Sequence, residues 1–280
     1  MLIREKLMDQ QSTFYYADPT VKDPAYFLCP PPANAQQRDP GRVPGQHKVE
    51  DVRSYMSALN IDQQGLAFVQ QHSATTDFYD DEAVRNTYYP EVQELVKAHT
   101  GAKEVFVFDH NVRNKDIAGS DQTSQRAPIQ NPVKSVHNDY TEISGPQRVR
   151  DFLPDRAEEL VNQRFAMINV WRPIVGPVVQ TPFAVIDAGS ISEDDFIPID
   201  LVYTDRVGQI YMVRDNPKHR WLYLSEMQHA EVMLLKCFDS DLNVPARFTA
   251  HSAFELPAQS TDAEPLPGRQ SIEVRTLVFY

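Results

Sequence analysis

From residue 104 onward, apolar positions come in short bursts cut by proline, glycine and acidic residues. Residues 104–110 (EVFVFDH), 133–141 (VKSVHNDYT), 165–174 (FAMINVWRPI), 182–191 (PFAVIDAGSI), 209–215 (QIYMVRD), 220–225 (RWLYLS), 231–240 (EVMLLKCFDS), 246–254 (ARFTAHSAF) and 271–280 (SIEVRTLVFY) all read as strands from their length and apolar content. One helical stretch interrupts them, within residues 146–163, and residues 111–132 read as a polar loop. Many short strands with regular turn signals predict a mainly β fold with flanking helices. Its core is expected to be a double-stranded β-helix of the jelly-roll or cupin-like kind.

The first hundred residues follow other rules. Residues 1–48 hold Pro19, Pro24, Pro30, Pro31, Pro32, Pro40 and Pro44, which forbid regular helix or central strand and predict an extended arm. Residues 14–20 (FYYADPT) are a candidate edge strand within it. Residues 49–72 read as two short helical pieces, from the spacing of Val52, Tyr55, Met56 and Leu59, followed by a buried strand after Gly65. Asp80 and Asp81 can cap a helix running to about His99, with Val84, Tyr88, Val92, Leu95 and Val96 on one face, a kink at Pro90 and a stop at Gly101. The expected organisation is therefore an arm with helices over residues 1–100, packed on a jelly-roll core over residues 101–280, in one integrated domain. The arm has the length to exchange with a neighbouring copy, so a homodimer is a candidate assembly.

Charge and cysteine content narrow the function. The net charge is -12, and the densest basic stretch, residues 148–156, is diluted by Asp151 and Asp155, so nucleic acid is not an expected partner. Cys29 and Cys237 share no metal-ligand spacing and suggest a reducing, cytoplasmic setting. The first residues lack an apolar secretory core, and no run approaches the roughly 18 apolar residues of a membrane span. Neither a G-x-S-x-G elbow nor an H-E-x-x-H helix is present, which removes the common hydrolase signatures.

The residues that carry chemistry are His137 and Asp139 in Val136-His137-Asn138-Asp139-Tyr140. Two positions apart on a strand, they project to the same side. An imidazole and a carboxylate aimed at one point are two thirds of a facial metal triad, which leaves positions open for co-substrate and oxygen. Three later histidines are available to complete it: His219 after a proline turn, His229 in a polar turn, and His251 near a strand start. His251 has the best setting, since rigid neighbouring strands fix ligand geometry. The final strand places Arg269 and Arg275 on one face, and arginine grips a carboxylate bidentately.

Taken together, residues 137–141 (HNDYT), 168–174 (INVWRPI), 182–191 (PFAVIDAGSI), 219–240 (HRWLYLSEMQHAEVMLLKCFDS), 250–254 (AHSAF) and 269–275 (RQSIEVR) resemble the CmcJ/AsaB-like hydroxylase/desaturase family common in fungal natural-product gene clusters. The resemblance covers most of residues 100–280. It implies an Fe(II)- and 2-oxoglutarate-dependent oxygenase of the jelly-roll type that consumes O2 in hydroxylating, desaturating or otherwise oxidising a small molecule. By the same resemblance, His137, Asp139 and His251 are the iron ligands. Arg269, with Ser271 in an R-x-S arrangement, or Arg275 binds the distal carboxylate of 2-oxoglutarate; the central position of Arg275 favours it.

Supporting roles are expected for Tyr140, and for Asn169 and Arg172 on a strand expected to run beside the motif. Trp221 is a candidate pocket residue, and Lys236, a charge within an apolar run, either reaches solvent or lies near the co-substrate. The alternative role for one of the two arginines is a surface ion pair, with Glu273 as its candidate partner. The insertion over residues 255–268 is a candidate lid. Two other readings are a 2-oxoglutarate-independent metal dioxygenase on the same fold and a non-catalytic subunit of a two-protein system.

Overall fold

The computed structural model describes residues 10–114, 116, 129–256 and 266–280. Most of the candidate lid lies outside these residues. Two sheets face one another. The five-stranded sheet has the order β4 (Leu66–Gln70), β12 (Glu231–Asp239), β7 (Phe165–Pro173), β14 (Gln270–Phe279), β5 (Glu104–Asn114). The nine-stranded sheet runs β1 (Gln10–Tyr16), β3 (Val43–Asp51), β11 (Trp221–Tyr223), β8 (Phe183–Ile186), β13 (His251–Ala253), β6 (His137–Asn138), β10 (Val207–Val213), β9 (Phe196–Val202), β2 (Ala25–Phe27). This is the double-sheet jelly roll that the strand pattern predicts.

Strands β7 and β12 are buried at every position, because the five-stranded sheet is covered on both sides. Met167, Trp171, Leu235 and Leu277 point between the sheets, against Val185 and Leu222. Ile168, Val170, Leu234 and Val274 point the other way, onto Val92, Leu95 and Val96 of helix α2 (Tyr89–Thr100). Each such aliphatic side chain contributes roughly 1.5–3 kcal/mol on burial. The helical stretch begins as expected at α1 (Asp81–Ala83), with the Asp80 carboxylate accepting from the Glu82 and Ala83 amides, and ends after α2 at Gly101 in the left-handed conformation. A π-helical turn over Val84–Tyr88 leads into Pro90, the position expected to bend it. Residues 144–161 supply two further helices, α3 (Ser144–Phe152) and α4 (Ala157–Val161).

The proline-rich segment does more than lie on the surface. Its strand β1 forms the sheet edge and pairs with β3, while β4 joins the other sheet, so strands from before residue 101 belong to both sheets. The two helical pieces expected over residues 49–72 reduce to one 3-10 turn at Met56–Ala58, because Asp51 ends β3 and Val52 continues the ladder by donating to the Tyr223 carbonyl. The helical spacing there reflects Tyr55, Met56 and Leu59 covering the edge of the core. The strand β7 does not run beside the motif strand β6: the two sit in opposite sheets and face each other across the interior.

Candidate active site between the sheets

Strand β6 lies between β13 and β10, and His137 pairs directly with His251 across the ladder. Their rings stand 4.4 Å apart, centroid to centroid. The Nδ1 of His137 donates to the Ser135 carbonyl at 2.8 Å, and that of His251 to the Thr249 carbonyl at 3.0 Å. A carbonyl can only accept, so each Nδ1 carries a hydrogen and each Nε2 is the ring nitrogen turned to the interior. The Asp139 carboxylate meets them there. Its Oδ1 is 3.6 Å from His137 Nε2 and 3.9 Å from His251 Nε2, and all three ligand-type atoms lie within 4.8 Å of one another.

The electrostatics match a cation site. Burial alone would raise the Asp139 carboxyl, but Arg275, His251 and His137 hold it below the usual carboxylate range. Burial, reinforced by His251, pushes His137 down to about 4. Near neutral pH the site thus offers an ionised carboxylate beside an unprotonated His137 imidazole, the forms that bind metal. The second carboxylate oxygen is occupied: Oδ2 accepts from Asn169 Nδ2 at 2.8 Å and Arg275 Nε at 3.2 Å, which leaves Oδ1 for the imidazole side.

Neighbouring residues hold the motif in place. Asn138, fully buried, points to the opposite face from His137. Its amide donates to the carbonyls of Tyr140 and Cys237 and accepts from the Thr249 amide at 3.1 Å, two residues before His251. The Cys237 carbonyl is available because a bulge between Lys236 and Phe238 breaks the β12 ladder. Gly65 passes so close to Thr249 that a Cβ would meet its Oγ1 at 2.0 Å, so only glycine fits. Phe183 stacks on the His251 ring at 5.2 Å.

On one side of the histidines is a narrow cleft walled by Arg113, Trp171, Phe183, Arg269 and Glu273. Positions 269, 271, 273 and 275 share one face approaching and along β14, and all turn inward. Arg269 is buried over the Trp171 ring and donates from Nη1 to the Thr181 carbonyl at 2.9 Å. Its Nε and the Ser271 hydroxyl are buried without a partner. Burial, then Arg113, pulls the Arg269 guanidinium down to about 9. A buried cation so destabilised, with idle donors beside it, is a site made for an anion. Arg275 is differently placed: besides Asp139, it donates to Asp109 Oδ2 at 2.9 Å.

On the other side a cavity of about 700 Å³ reaches His137, Asp139 and Arg275, within the usual range for small-molecule pockets. Tyr140, Phe108 and Met212 line it.

Several sequence-predicted residues lie elsewhere. His219 sits behind the nine-stranded sheet, 3.3 Å from Asp195 and stacked with Tyr16 and His47. His229 is half-buried against Phe78, with Nδ1 donating to the Pro173 carbonyl. Arg172 points to the helix-covered face, where it donates to the Gln71 and His229 carbonyls between Phe78 and Tyr88. Three positions apart along β7, Asn169 and Arg172 fall on opposite faces, Asn169 inward and Arg172 out. Trp221 stacks on Phe14 and donates to the Tyr16 hydroxyl, so it anchors β1 rather than lining a pocket. Lys236 is fully buried between Asp62 and Asp239 and reaches neither solvent nor the cleft. Glu273 is not a surface residue: it is buried and accepts from the Asn169 amide at 2.6 Å. Its place, with that of Ser271, follows from the same two-residue alternation that relates Arg269 to Arg275. Arg113, Asn138 and Phe183 carry no motif that distinguishes them in the sequence.

Comparison with known proteins accounts for this arrangement. The family described as "Oxidoreductase/YMDC permease-like domain" matches residues 13–279. The chain is 34% identical over 242 residues to the alpha-ketoglutarate-dependent dioxygenase phiK of a fungal species, covering 83% of each protein. It is 32% identical over 250 residues to the hydroxylase/desaturase efuI of Hormonema carpetanum, covering 83% of this chain and 82% of that one. The Fe(II)/2-oxoglutarate-dependent dioxygenase nvfI of Aspergillus novofumigatus is 28% identical over 97% of this chain and 96% of its own. The solved structure of the iron and alpha-ketoglutarate-dependent endoperoxidase NvfI superimposes with a TM-score of 0.85, at 27% identity, over 98% of this chain and 99% of that one. The chain belongs to this oxidoreductase family, the CmcJ/AsaB-like hydroxylase/desaturases, and is an Fe(II)/2-oxoglutarate-dependent oxygenase of the kind found in fungal natural-product biosynthesis.

Proposed function

We propose that His137, Asp139 and His251 hold the iron, that Arg269 and Ser271 receive the distal carboxylate of 2-oxoglutarate, and that the organic substrate occupies the 700 Å³ cavity on the far side of the histidines. The observation that carries this reading is the meeting of three ligand atoms within 4.8 Å, each imidazole turned by a backbone carbonyl so that Nε2 faces the others. Two imidazoles and one carboxylate suit Fe(II) and leave positions open.

The co-substrate reading rests on Arg269. Its idle Nε and the idle Ser271 hydroxyl are the donors a carboxylate needs, whereas Arg275 is committed to Asp109 and Asp139. This reverses the preference for Arg275 drawn from its position in the strand. The cleft measures about 10 Å³, room for one water-sized group, so a five-carbon diacid enters with side-chain adjustment along its walls.

Bound iron and 2-oxoglutarate together supply oxidative decarboxylation of the co-substrate and the oxidising power that acts on the substrate. The chain's own part is positional. Asn169 and Arg275 hold one oxygen of Asp139 so that the other faces the imidazoles. Trp171 and Phe183 wall the cleft against water. Tyr140, with its hydroxyl pushed up by burial, keeps its proton on the cavity side. Hydroxylation, desaturation and endoperoxide formation differ in which substrate atom lies over the open positions, so the cavity walls select among them. The described residues contain no helix long and apolar enough to cross a membrane. The acidic charge and the two free cysteines support a cytoplasmic enzyme without a nucleic-acid partner.

The test is anaerobic absorption of metal-free protein titrated with iron(II) and then 2-oxoglutarate. A metal-to-ligand charge-transfer band in wild type and His219→Ala, absent in His251→Ala, is the expected result. Bound iron with no band on adding 2-oxoglutarate would count against the co-substrate site, and a band surviving in His251→Ala would count against the triad.

A further inference from the structure

We infer that the substrate is a rigid, mainly apolar molecule bearing an anionic group, a carboxylate by preference, which docks on Arg206 and Arg148 at the mouth of the large cavity. This rests on the reading of that cavity as the substrate site and adds the class of molecule it takes.

The walls define the body of the ligand. Tyr26, Phe108, Tyr140, Phe152 and Tyr203 face the 700 Å³ cavity, and flat, stiff surfaces of this kind suit a fused or aromatic ring system. A second space of about 310 Å³ adjoins it through Ser144, Arg148, Arg206 and Gln209, which line both. Large apolar side chains stay exposed along the rim: Ile143 at 70%, Val207 at 64%, Phe152 at 39% and Val133 at 36%. Clustered exposed hydrophobics beside a cavity are a mark of ligand binding.

The charges define its end. The chain carries a net charge of -12, yet every carboxylate on these walls has a partner of its own. Asp109 and Asp139 are held by Arg275. Asp200 accepts from Arg38 and Gln209, and Asp151 from Gln147 and Arg148. Arg206 has no ion-pair partner among the described residues; its guanidinium lies over the Tyr203 ring at 4.4 Å, which fixes it at the junction of the two spaces. The Arg148–Asp151 pair is a half-exposed contact between residues three apart on α3, weak enough to exchange for a ligand carboxylate. At the junction of the two spaces the mouth therefore presents Arg206 without an ion-pair partner among the described residues, beside Arg148 in an exchangeable pair.

The test uses metal-free protein and two probes with the same aromatic systems: 8-anilinonaphthalene-1-sulfonate, and N-phenyl-1-naphthylamine, which lacks the charge. Fluorescence titrations compare wild type with Arg206→Gln and Arg148→Gln, at low and high salt. We expect Arg206→Gln to weaken the sulfonate probe about fivefold at low salt and less at high salt, Arg148→Gln to weaken it less, and the uncharged probe to bind all three proteins alike. Unchanged sulfonate binding in Arg206→Gln, or equal weakening of both probes, would overturn the inference. So would displacement of the sulfonate probe by 2-oxoglutarate in wild type but not in Arg206→Gln, since Arg206 would then serve the co-substrate. The charge-transfer band should persist in Arg206→Gln. Its absence from wild type would remove the oxygenase reading and leave the anion result standing.

Discussion

The side-chain amide of Asn138 donates to the Cys237 carbonyl at 2.9 Å, joining the motif strand to a strand of the opposite sheet across 99 residues of sequence. The same side chain accepts from the Thr249 amide, so it ties the His137 and His251 strands to one another from behind. Asn138→Ala leaves two buried carbonyls and one amide without that partner. We expect a loss of about 3 kcal/mol in stability, read by urea denaturation. Iron affinity should fall about 10- to 100-fold, read by metal titration, because the ligands lose their support. Unchanged iron affinity in a destabilised variant would reduce Asn138 to a packing role.

Arg269 and Arg275 should separate cleanly. Arg269→Lys loses the fork that a carboxylate needs, and the dissociation constant for 2-oxoglutarate should rise at least about tenfold with iron affinity little changed. Arg275→Gln should do the reverse, weakening iron through Asp139. Isothermal titration of each ligand in turn checks both, and interchange of the two effects would return the co-substrate to Arg275.

Lys236→Met should cost about 1–3 kcal/mol, because buried Asp239 loses one of its two cationic partners and keeps Arg164. Its 2-oxoglutarate affinity should match wild type once folded, since Lys236 lies away from the cleft. A selective loss of co-substrate binding would revive its assignment to the site.

Stability should fall on mild acidification. Burial pushes His219 below its ordinary value even though Asp195 opposes the shift, with His47 and Asp215 also facing it. The unfolded chain then takes up the proton first, so this contribution is complete above about pH 6.5 and declines as the pH drops below it. Denaturation midpoints at pH 8, 6.5 and 5 should decrease in that order, and His219→Gln should flatten the decline. An unchanged slope in that variant would assign the effect to other histidines.

What could be read in the sequence was what repeats locally. Strand alternation places His137 and Asp139 together and aligns 269, 271, 273 and 275, and the capped helix over residues 81–100 follows from side-chain periodicity and Asp80. What could not be read depends on which sheet a strand joins. Strands β7 and β12 are apolar on both faces, so nothing in them says that Asn169 points toward the iron site while Arg172 points away, or that Lys236 meets Asp62. The arm over residues 1–48 looks peripheral because proline is scarce in sheets, yet β1 and β2 form the two edges of the nine-stranded sheet, where a missing donor costs little. Arg206 and Arg148 carry no motif and acquire meaning only from the cavity they share.

The position of β14 governs when the site can exist at all. It lies between β7 and β5, so the five-stranded sheet stays split until residues 270–279 have left the ribosome. Arg275, which shares Asp139 with Asn169, and Arg269 and Ser271, the proposed co-substrate residues, arrive with or just before that strand, after His137 and Asp139 have been made. A nascent chain holding His137, Asp139 and His251 would have the proposed site on an unfinished sheet. Completion of the sheet is therefore a late event in synthesis, and pairing over such long sequence separations slows folding.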